Sequence, residues 1–274
     1  MVTKRKNFYQ TLSEAIRDIT EHGFDSTGRL AYWTHEIRRA AEASLMPQWR
    51  VEALLNASLG AIYRRLIDRG QVAKYHQGLS MFTKAHLAPK LHAELTRRVM
   101  NAASLIKLNR EEAMATTIRR FEGWAGSIPA GGTGSQNSKK VASELRKSLA
   151  GQPFRDRRVL VDQGHKLTSS LNQIIATDGG AIAMIWHSHW RQANYNYRED
   201  HKERDGQCYA IKGNWALQRG LMKAGPDGYY DDITKVGEEV FCRCWAQYIY
   251  TLDRLPEDML TKKGRDTLAD TARK

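Results

Sequence analysis

The spacing of apolar residues changes once along the chain, and this change constrains the fold more than any other feature. From Phe8 onward, apolar side chains recur every three to four residues, as they do on one face of a helix. After the pair Gly179-Gly180 the pattern becomes one of short apolar runs and alternation, which is typical of strands. The sequence therefore predicts an α+β protein, with a helical N-terminal region followed by a small mixed α+β domain.

Residues that start and stop helices divide the N-terminal half. A first helix from Phe8 is predicted to end at Gly23, Ser26 can cap a second, and Pro47 suits the first turn of a third. The segment 89–108 is periodic again, and Asn109 followed by Glu112 predicts a separate helix start, because this pair resembles a capping box. We therefore expect five helices before the middle of the chain.

One segment has the composition of a linker. It reads IPAGGTGSQNS, is rich in Gly and Ser, and carries no charge. Two short segments beyond it, AIAMIW at 181–186 and VFCRCWAQYIY at 240–250, are apolar or alternating and predict strands. The predicted organisation is a helical docking arm at 1–127, the linker at 128–138, an α+β domain at 139–254, and a helical tail at 255–274.

The charge balance is basic. The chain has 43 Lys and Arg against 30 Asp and Glu, a net charge of +13, which favours polyanionic partners such as nucleic acid. A solvated basic surface explains the same numbers equally well, since the charge is spread over both halves. The apolar runs are too short to span a membrane, and the N-terminus lacks the pattern of a secretory signal. We therefore expect no membrane partner, and we expect the chain to stay in the cytoplasm where it is made.

The cysteines and one histidine in the last third form a candidate metal site. His201, Cys208, Cys242 and Cys244 could supply the Cys3His set that zinc prefers. Cys242 and Cys244 would share one face of the predicted strand about 6 to 7 Å apart, which is wide for joint ligation unless the backbone bends. Buried hydrophobic thiols, or a disulfide formed in an oxidising medium, are the alternatives.

An enzymatic function has weaker support. The pair His187 and His189, together with His201 and nearby aspartates, offers the groups of a metal-dependent hydrolase or nuclease. Nothing in their spacing orders them into a recognisable site. The sequence also lacks a phosphate-binding loop, a G-x-S-x-G elbow and an H-E-x-x-H pair. We therefore expect no catalytic activity, with a metal-dependent nuclease as the alternative.

Four segments, in this order, resemble the Mu F-like head-morphogenesis family of minor head proteins of tailed bacteriophages. They are RDRRVLVDQGHKLTSSLN at 155–172, AIAMIWHSHW at 181–190, REDHKERDG at 198–206 and FCRCW at 241–245. The pattern R-x-x-H-x-x-x-D-G followed by C-R-C is the most specific part. The family usually has an aspartate shortly before the arginine, where this sequence reads NYNY.

The resemblance implies a structural role in the virion. A protein of this family would associate, in several copies, with the portal protein and with capsid or scaffolding proteins during procapsid assembly in the host cytoplasm. It would then reside in the capsid interior or at the portal vertex, near the packaged double-stranded DNA. A DNA-binding protein ejected with the genome is the alternative that remains open.

The same resemblance implies roles for individual residues. His201 with Cys242 and Cys244 would hold the small domain together, and Asp205-Gly206 would form its turn. Arg198 would form an ion pair with Asp205 or contact a partner.

Overall fold

The computed structural model describes residues 7–24, 26–76, 81–134 and 137–273, and it is an α+β protein as predicted. Within these ranges the helices and strands are α1 (Phe8–His22), α2 (Thr27–Ser44), α3 (Gln48–Leu66), α4 (Arg69–Tyr75), α5 (Met81–Gly126), α6 (Ser138–Ala150), α7 (Gln152–Asp178), β1 (Ala183–His187), α8 (Glu199–Glu203), β2 (Cys208–Ala210), α9 (Trp215–Gln218), β3 (Trp245–Ile249) and α10 (Lys262–Ala272). Short 3-10 helices lie at Tyr230–Asp232, Leu252–Arg254 and Glu257–Met259. None of the helices described is both long and apolar enough to cross a membrane.

Local capping explains where the first helices begin. The Asn7 side chain accepts the Gln10 amide while the Gln10 side chain accepts the Asn7 amide, which is a reciprocal capping box. Ser26 caps α2, as predicted, by accepting the Arg29 amide. Pro47 lies directly before α3, and its carbonyl oxygen accepts two amides of the first turn. The positions at which these three helices begin are therefore set by residues in or directly before the first turn of each helix.

The predicted break at Asn109 is wrong, because α5 continues through it to Gly126. The buried face of the helix runs across this point from Ile106 to Ala113 and on to Phe121. Packing of this face therefore stabilises a helix that continues through Asn109. No glycine or proline lies between Pro89 and Gly123 to stop the helix. The short helix α4 was not predicted. It includes Gly70, and in the sequence a glycine at this position indicates the end of the third helix.

The chain forms two compact units that differ from the predicted domains. The first comprises 1–54 and 101–160, and the second comprises 55–100 and 161–274. The boundaries fall inside α3, α5 and α7, three helices long enough to belong to both units. The predicted linker at 128–138 therefore lies within the first unit, and the predicted tail at 255–274 lies within the second, where it contains α10.

The core of the first unit is built by apolar faces of α1, α2, α5 and α6. Ile128, at the start of the predicted linker, is buried in this core. The Gly131 amide donates to the His22 carbonyl oxygen, and the Thr133 amide donates to that of Thr20. The described part of this segment is therefore packed against the end of α1, although its composition is that of a free linker.

The close approach of Gly132 to α1 predicts a selective loss of stability. A Cβ at position 132 would lie 2.4 Å from the Thr20 carbonyl oxygen, at a φ of +84°. Gly132→Ala is expected to lower the free energy of unfolding by about 2 kcal/mol more than Gly131→Ala. Gly131 is the matched control, because its φ is +89° and a Cβ there would meet only open space among the described atoms. Equal melting temperatures for the two variants would show that the contact is absent.

The second unit contains an antiparallel three-stranded sheet in the order β2-β1-β3. Ala183 of β1 pairs with Ala210 on one side and with Ile249 on the other. Successive β1 residues point to opposite faces, so Ala183 and Met184 belong to different apolar clusters. The first predicted strand is therefore present, shifted to Ala183–His187. The second begins only at Trp245, so most of its predicted N-terminal half is not a strand.

Candidate metal centre

One histidine and two cysteines pack together on the side of the sheet to which Met184 points. His201 lies on α8, and Cys242 and Cys244 lie in the loop that precedes β3. All three side chains are at most 3% exposed. His201 Nδ1 is 3.5 Å from Cys244 Sγ and 3.6 Å from Cys242 Sγ, and the three candidate ligand atoms lie within 4.8 Å of one another. This buried group, called the thiol–imidazole cluster below, could hold a metal ion.

The two thiols lie close together in a loop, because neither cysteine belongs to a strand and the backbone turns sharply just before Cys242. Phe241 has a φ of +60°, outside the extended region that a strand requires. Its amide donates to Asp162 Oδ1 over 2.6 Å, and the Arg243 amide donates to the Tyr195 hydroxyl over 3.1 Å. The prediction that Cys242 and Cys244 lie on a flat strand face is therefore wrong. The two sulfurs lie within 4.8 Å of each other, closer than the roughly 6 to 7 Å expected for side chains two apart on a flat strand.

Cys208 does not belong to the cluster, which corrects the predicted set of four ligands. It lies on β2 and packs in the apolar cluster that contains Ala183, whereas Cys242 and Cys244 pack in the cluster that contains Met184. Burial, with a further contribution from Asp227, raises the pKa of the Cys208 thiol to about 12. This thiol is a neutral packing group. Among the described residues the cluster has three members.

An acidic residue that the sequence analysis missed lies on the other side of the imidazole. Glu239 Oε2 is 3.2 Å from His201 Nε2, although the orientation leaves both atoms without a well-formed hydrogen bond among the described residues. Arg198 Nε lies 2.6 Å from the same oxygen, and Arg198 Nη2 donates to the Val240 carbonyl oxygen. Arg198 therefore pairs with Glu239. The resemblance had instead implied an ion pair with Asp205 or a contact with a partner. A carboxylate behind the imidazole is the usual partner of a metal-bound histidine, since it fixes the orientation of the ring.

Asp205 and Gly206 tie the helix α8 to the end of β1. The Asp205 carboxylate accepts the Ser188 amide over 2.8 Å and Trp190 Nε1 over 2.9 Å, and these bonds lower its pKa. Gly206 has a φ of +85°, and its amide donates to the Trp186 carbonyl oxygen. The turn thus places His201 beside the sheet.

The two thiols are electrostatically unequal. A hydrogen bond from Cys244, supported by His201 and by the Gly237 amide, lowers the pKa of Cys242 against the opposing effect of burial. The same hydrogen bond, together with burial, raises the pKa of Cys244. The pair therefore loses its first proton more readily than an isolated buried thiol would. Both are free cysteines, and Cys244 Sγ also lies 3.8 Å from Ser188 Oγ.

The other predicted histidines do not join the cluster. His187 stacks on Trp245 with ring centroids 4.0 Å apart, and His189 lines a neighbouring cavity whose lining also includes Cys244. The Asp231 carboxylate accepts a hydrogen bond from the Lys212 amide, and the Asp232 carboxylate contacts the Lys212 ammonium group. Both carboxylates therefore stabilise the loop at Lys212. Within the described ranges, the predicted hydrolase constellation is not assembled.

Two more neighbours of the cluster were missed by sequence reasoning. The Trp186 ring packs edge-on against His201 with centroids 5.2 Å apart, and Ser188 contacts Cys244. Glu239 had a weak local signal, since it lies three residues before Cys242. Trp186 and Ser188 had none, because only the fold of the chain brings β1 to the cluster.

Comparison with known proteins yields no relative: no family model matches the sequence, and neither a curated protein nor a solved structure matches it.

Proposed function

We propose that this chain is a minor head protein of a tailed bacteriophage, with a structural role in procapsid assembly at the portal. The observation that carries the proposal is that His201, Cys242 and Cys244 meet in one buried cluster, while Arg198 pairs with Glu239 beside it. The histidine, the two cysteines and the arginine belong to the R-x-x-H and C-R-C segments on which the family resemblance depends. Their contacts provide a physical reason why a chain would contain both segments.

The first unit is the proposed docking region for portal, capsid or scaffolding proteins. Its surface carries large apolar side chains that folding leaves in solvent, among them Trp49 at 70% and Tyr32 at 58% exposure. Aromatic side chains of this kind contribute strongly to protein interfaces. Proximity to the packaged double-stranded DNA agrees with the net charge of +13.

We further propose that the thiol–imidazole cluster binds Zn2+ as a structural ion. In a tetrahedral zinc site with Zn–S near 2.3 Å and Zn–N near 2.0 Å, neighbouring ligand atoms are about 3.5 to 3.8 Å apart. The separations of His201 Nδ1 from the two sulfurs are 3.5 and 3.6 Å, so the imidazole already has this spacing from both thiols. The donor set of two thiols and one imidazole also suits zinc chemically. Water or another donor would complete the fourth position.

Glu239→Gln tests whether the carboxylate supports a bound metal. Loss of a carboxylate behind a ligating histidine typically weakens metal affinity by about 10- to 100-fold, and we expect the same for zinc here. The affinity is measured by competition with a chromogenic zinc chelator. Glu238→Gln is the matched control, because Glu238 bonds only the Lys235 amide among the described contacts. Equal zinc affinities of the two variants would refute the role of Glu239.

The assembly role is tested by co-purification with particles. The chain is expressed with the portal, scaffolding and major capsid proteins of its own phage, and procapsids are isolated by sedimentation. We expect the chain in procapsids that contain the portal, and its loss from particles assembled without the portal protein. Absence of the chain from both procapsids and virions would overturn the proposal, whatever the zinc content.

A further inference from the structure

Two cavities of the second unit share lining residues and form one groove along β3. Their volumes are about 800 and 560 Å3, and both are lined by Tyr75, Trp245, Ala246 and Tyr248. We call the combined depression the β3 groove. Because β3 is at the edge of the three-stranded sheet, one side of this strand has no neighbouring strand among the described elements.

The charged lining of the β3 groove is almost entirely basic. It includes Arg65, Lys74, Arg243 and Arg254, whereas Asp253 is the sole carboxylate among its described residues. Both Arg65 and Arg243 are exposed, and neither has an ion-pair partner among the described residues. The Arg243 guanidinium lies over the Tyr195 ring, 5.5 Å from its centroid. Such a concave basic surface concentrates anions, because low-dielectric walls focus the field of the cations.

Aromatic rings are interleaved with these cations. Trp245 is 46% exposed and stacks on His187 with an interplanar angle of 16°, so one face of its indole is held in place. Tyr75 is 51% exposed, and Lys74 Nζ lies 5.4 Å from its ring centroid. Fixed, exposed rings are stacking platforms for flat ligands.

The floor of the groove is polar and preformed. The buried His76 has Nδ1 2.6 Å from the Tyr250 hydroxyl and Nε2 3.1 Å from Asn172 Oδ1, so both ring nitrogens are bonded. Burial, with the neighbouring Arg243 guanidinium, lowers the pKa of His165, which leaves a neutral imidazole in the wall at neutral pH. A neutral imidazole can donate or accept a hydrogen bond.

We propose that the β3 groove binds a single strand of nucleic acid, with phosphates at Arg65 and Arg243 and an unpaired base stacked on Trp245. A cationic groove with aromatic platforms fits a single strand, because each unpaired base offers a face for stacking while the phosphates follow the cations. Bases in a duplex are already stacked on one another, so a duplex could use only the cations. This inference does not depend on the assembly role or on zinc, since it uses other side chains.

The test is fluorescence anisotropy of the full chain with a labelled oligo(dT) of about twenty nucleotides and with a duplex of the same length. We expect the single strand to bind more tightly than the duplex. Trp245→Ala should weaken binding of the single strand by about ten-fold, the effect of losing one stacked base. The double variant Arg65→Ala/Arg243→Ala should reduce the salt dependence, with the slope of log K against log salt falling by about 1.4.

The double variant Lys139→Ala/Lys140→Ala removes the same charge from exposed positions on α6 of the first unit and serves as the control. Tyr75→Ala probes the second platform should Trp245→Ala lower the melting temperature. Equal weakening by the groove and control double variants would overturn the proposal, as would a duplex bound as tightly as the single strand. Unchanged affinity in both aromatic variants would also overturn it.

Discussion

Removing the proposed Zn2+ ion from the thiol–imidazole cluster is expected to lower the melting temperature of the second unit by roughly 10 °C. An ion that binds only the folded state stabilises it by about 4 kcal/mol when its free concentration is a thousand times Kd. For a unit of this size, each kcal/mol shifts the melting temperature by about 2 to 4 °C. The unfolded chain lacks the site, because His201 and Cys242 are far apart in sequence and meet only after folding.

The measurement is a thermal melt followed by circular dichroism, with and without a zinc chelator, and then with zinc restored. Cys242→Ser should abolish zinc binding and make the melt insensitive to chelator. Cys208→Ser is the matched control, since Cys208 is a buried thiol of the same unit that lies outside the cluster. If Cys208→Ser abolished zinc binding as completely as Cys242→Ser, the three-member site would be incorrect.

The second large effect is expected at Asp162, the acidic residue that holds the bend at Phe241. Its carboxylate accepts the Phe241 amide over 2.6 Å and lies 3.1 Å from Lys166 Nζ, and both charged side chains are largely buried. Asp162→Ala leaves the Lys166 cation without this partner, and breaking a buried ion pair in this way costs about 3 to 5 kcal/mol. We therefore expect a markedly lower midpoint of unfolding in urea. Zinc affinity should fall as well, because the bend brings Cys242 to the cluster.

Asp178→Ala provides the comparison within the same helix. Asp178 is at the end of α7 and contacts Lys90, whose side chain is 64% exposed. An exposed pair contributes about 0 to 1 kcal/mol, and an acidic residue at a helix C-terminus is unfavourable, so this change should be nearly neutral. Equal loss of stability in the two variants would mean that the Asp162 contacts do not support the bend.

The sequence predicted well those features that depend on near neighbours. The helical period, the cap at Ser26 and the apolar run at 181–186 all led to elements that the structure contains. The prediction failed at Asn109, where a local capping signal competed with a continuous buried face and the buried face prevailed. It also missed the packing of Gly131 and Thr133 on α1, because a Gly-rich composition does not reveal such contacts.

The sequence by itself determined the α+β class and the chemistry of the candidate ligands, because side-chain periodicity and donor type are properties of the residues. Only the tertiary structure decided which ligands meet. Cys208 is excluded because β2 directs it to the opposite side of the sheet from Cys242 and Cys244. Those two lie beside His201 in a loop whose preceding residue, Phe241, is held by the carboxylate of Asp162, 79 residues away. A hydrogen bond between residues so far apart in the chain cannot be predicted from the local spacing of residue types.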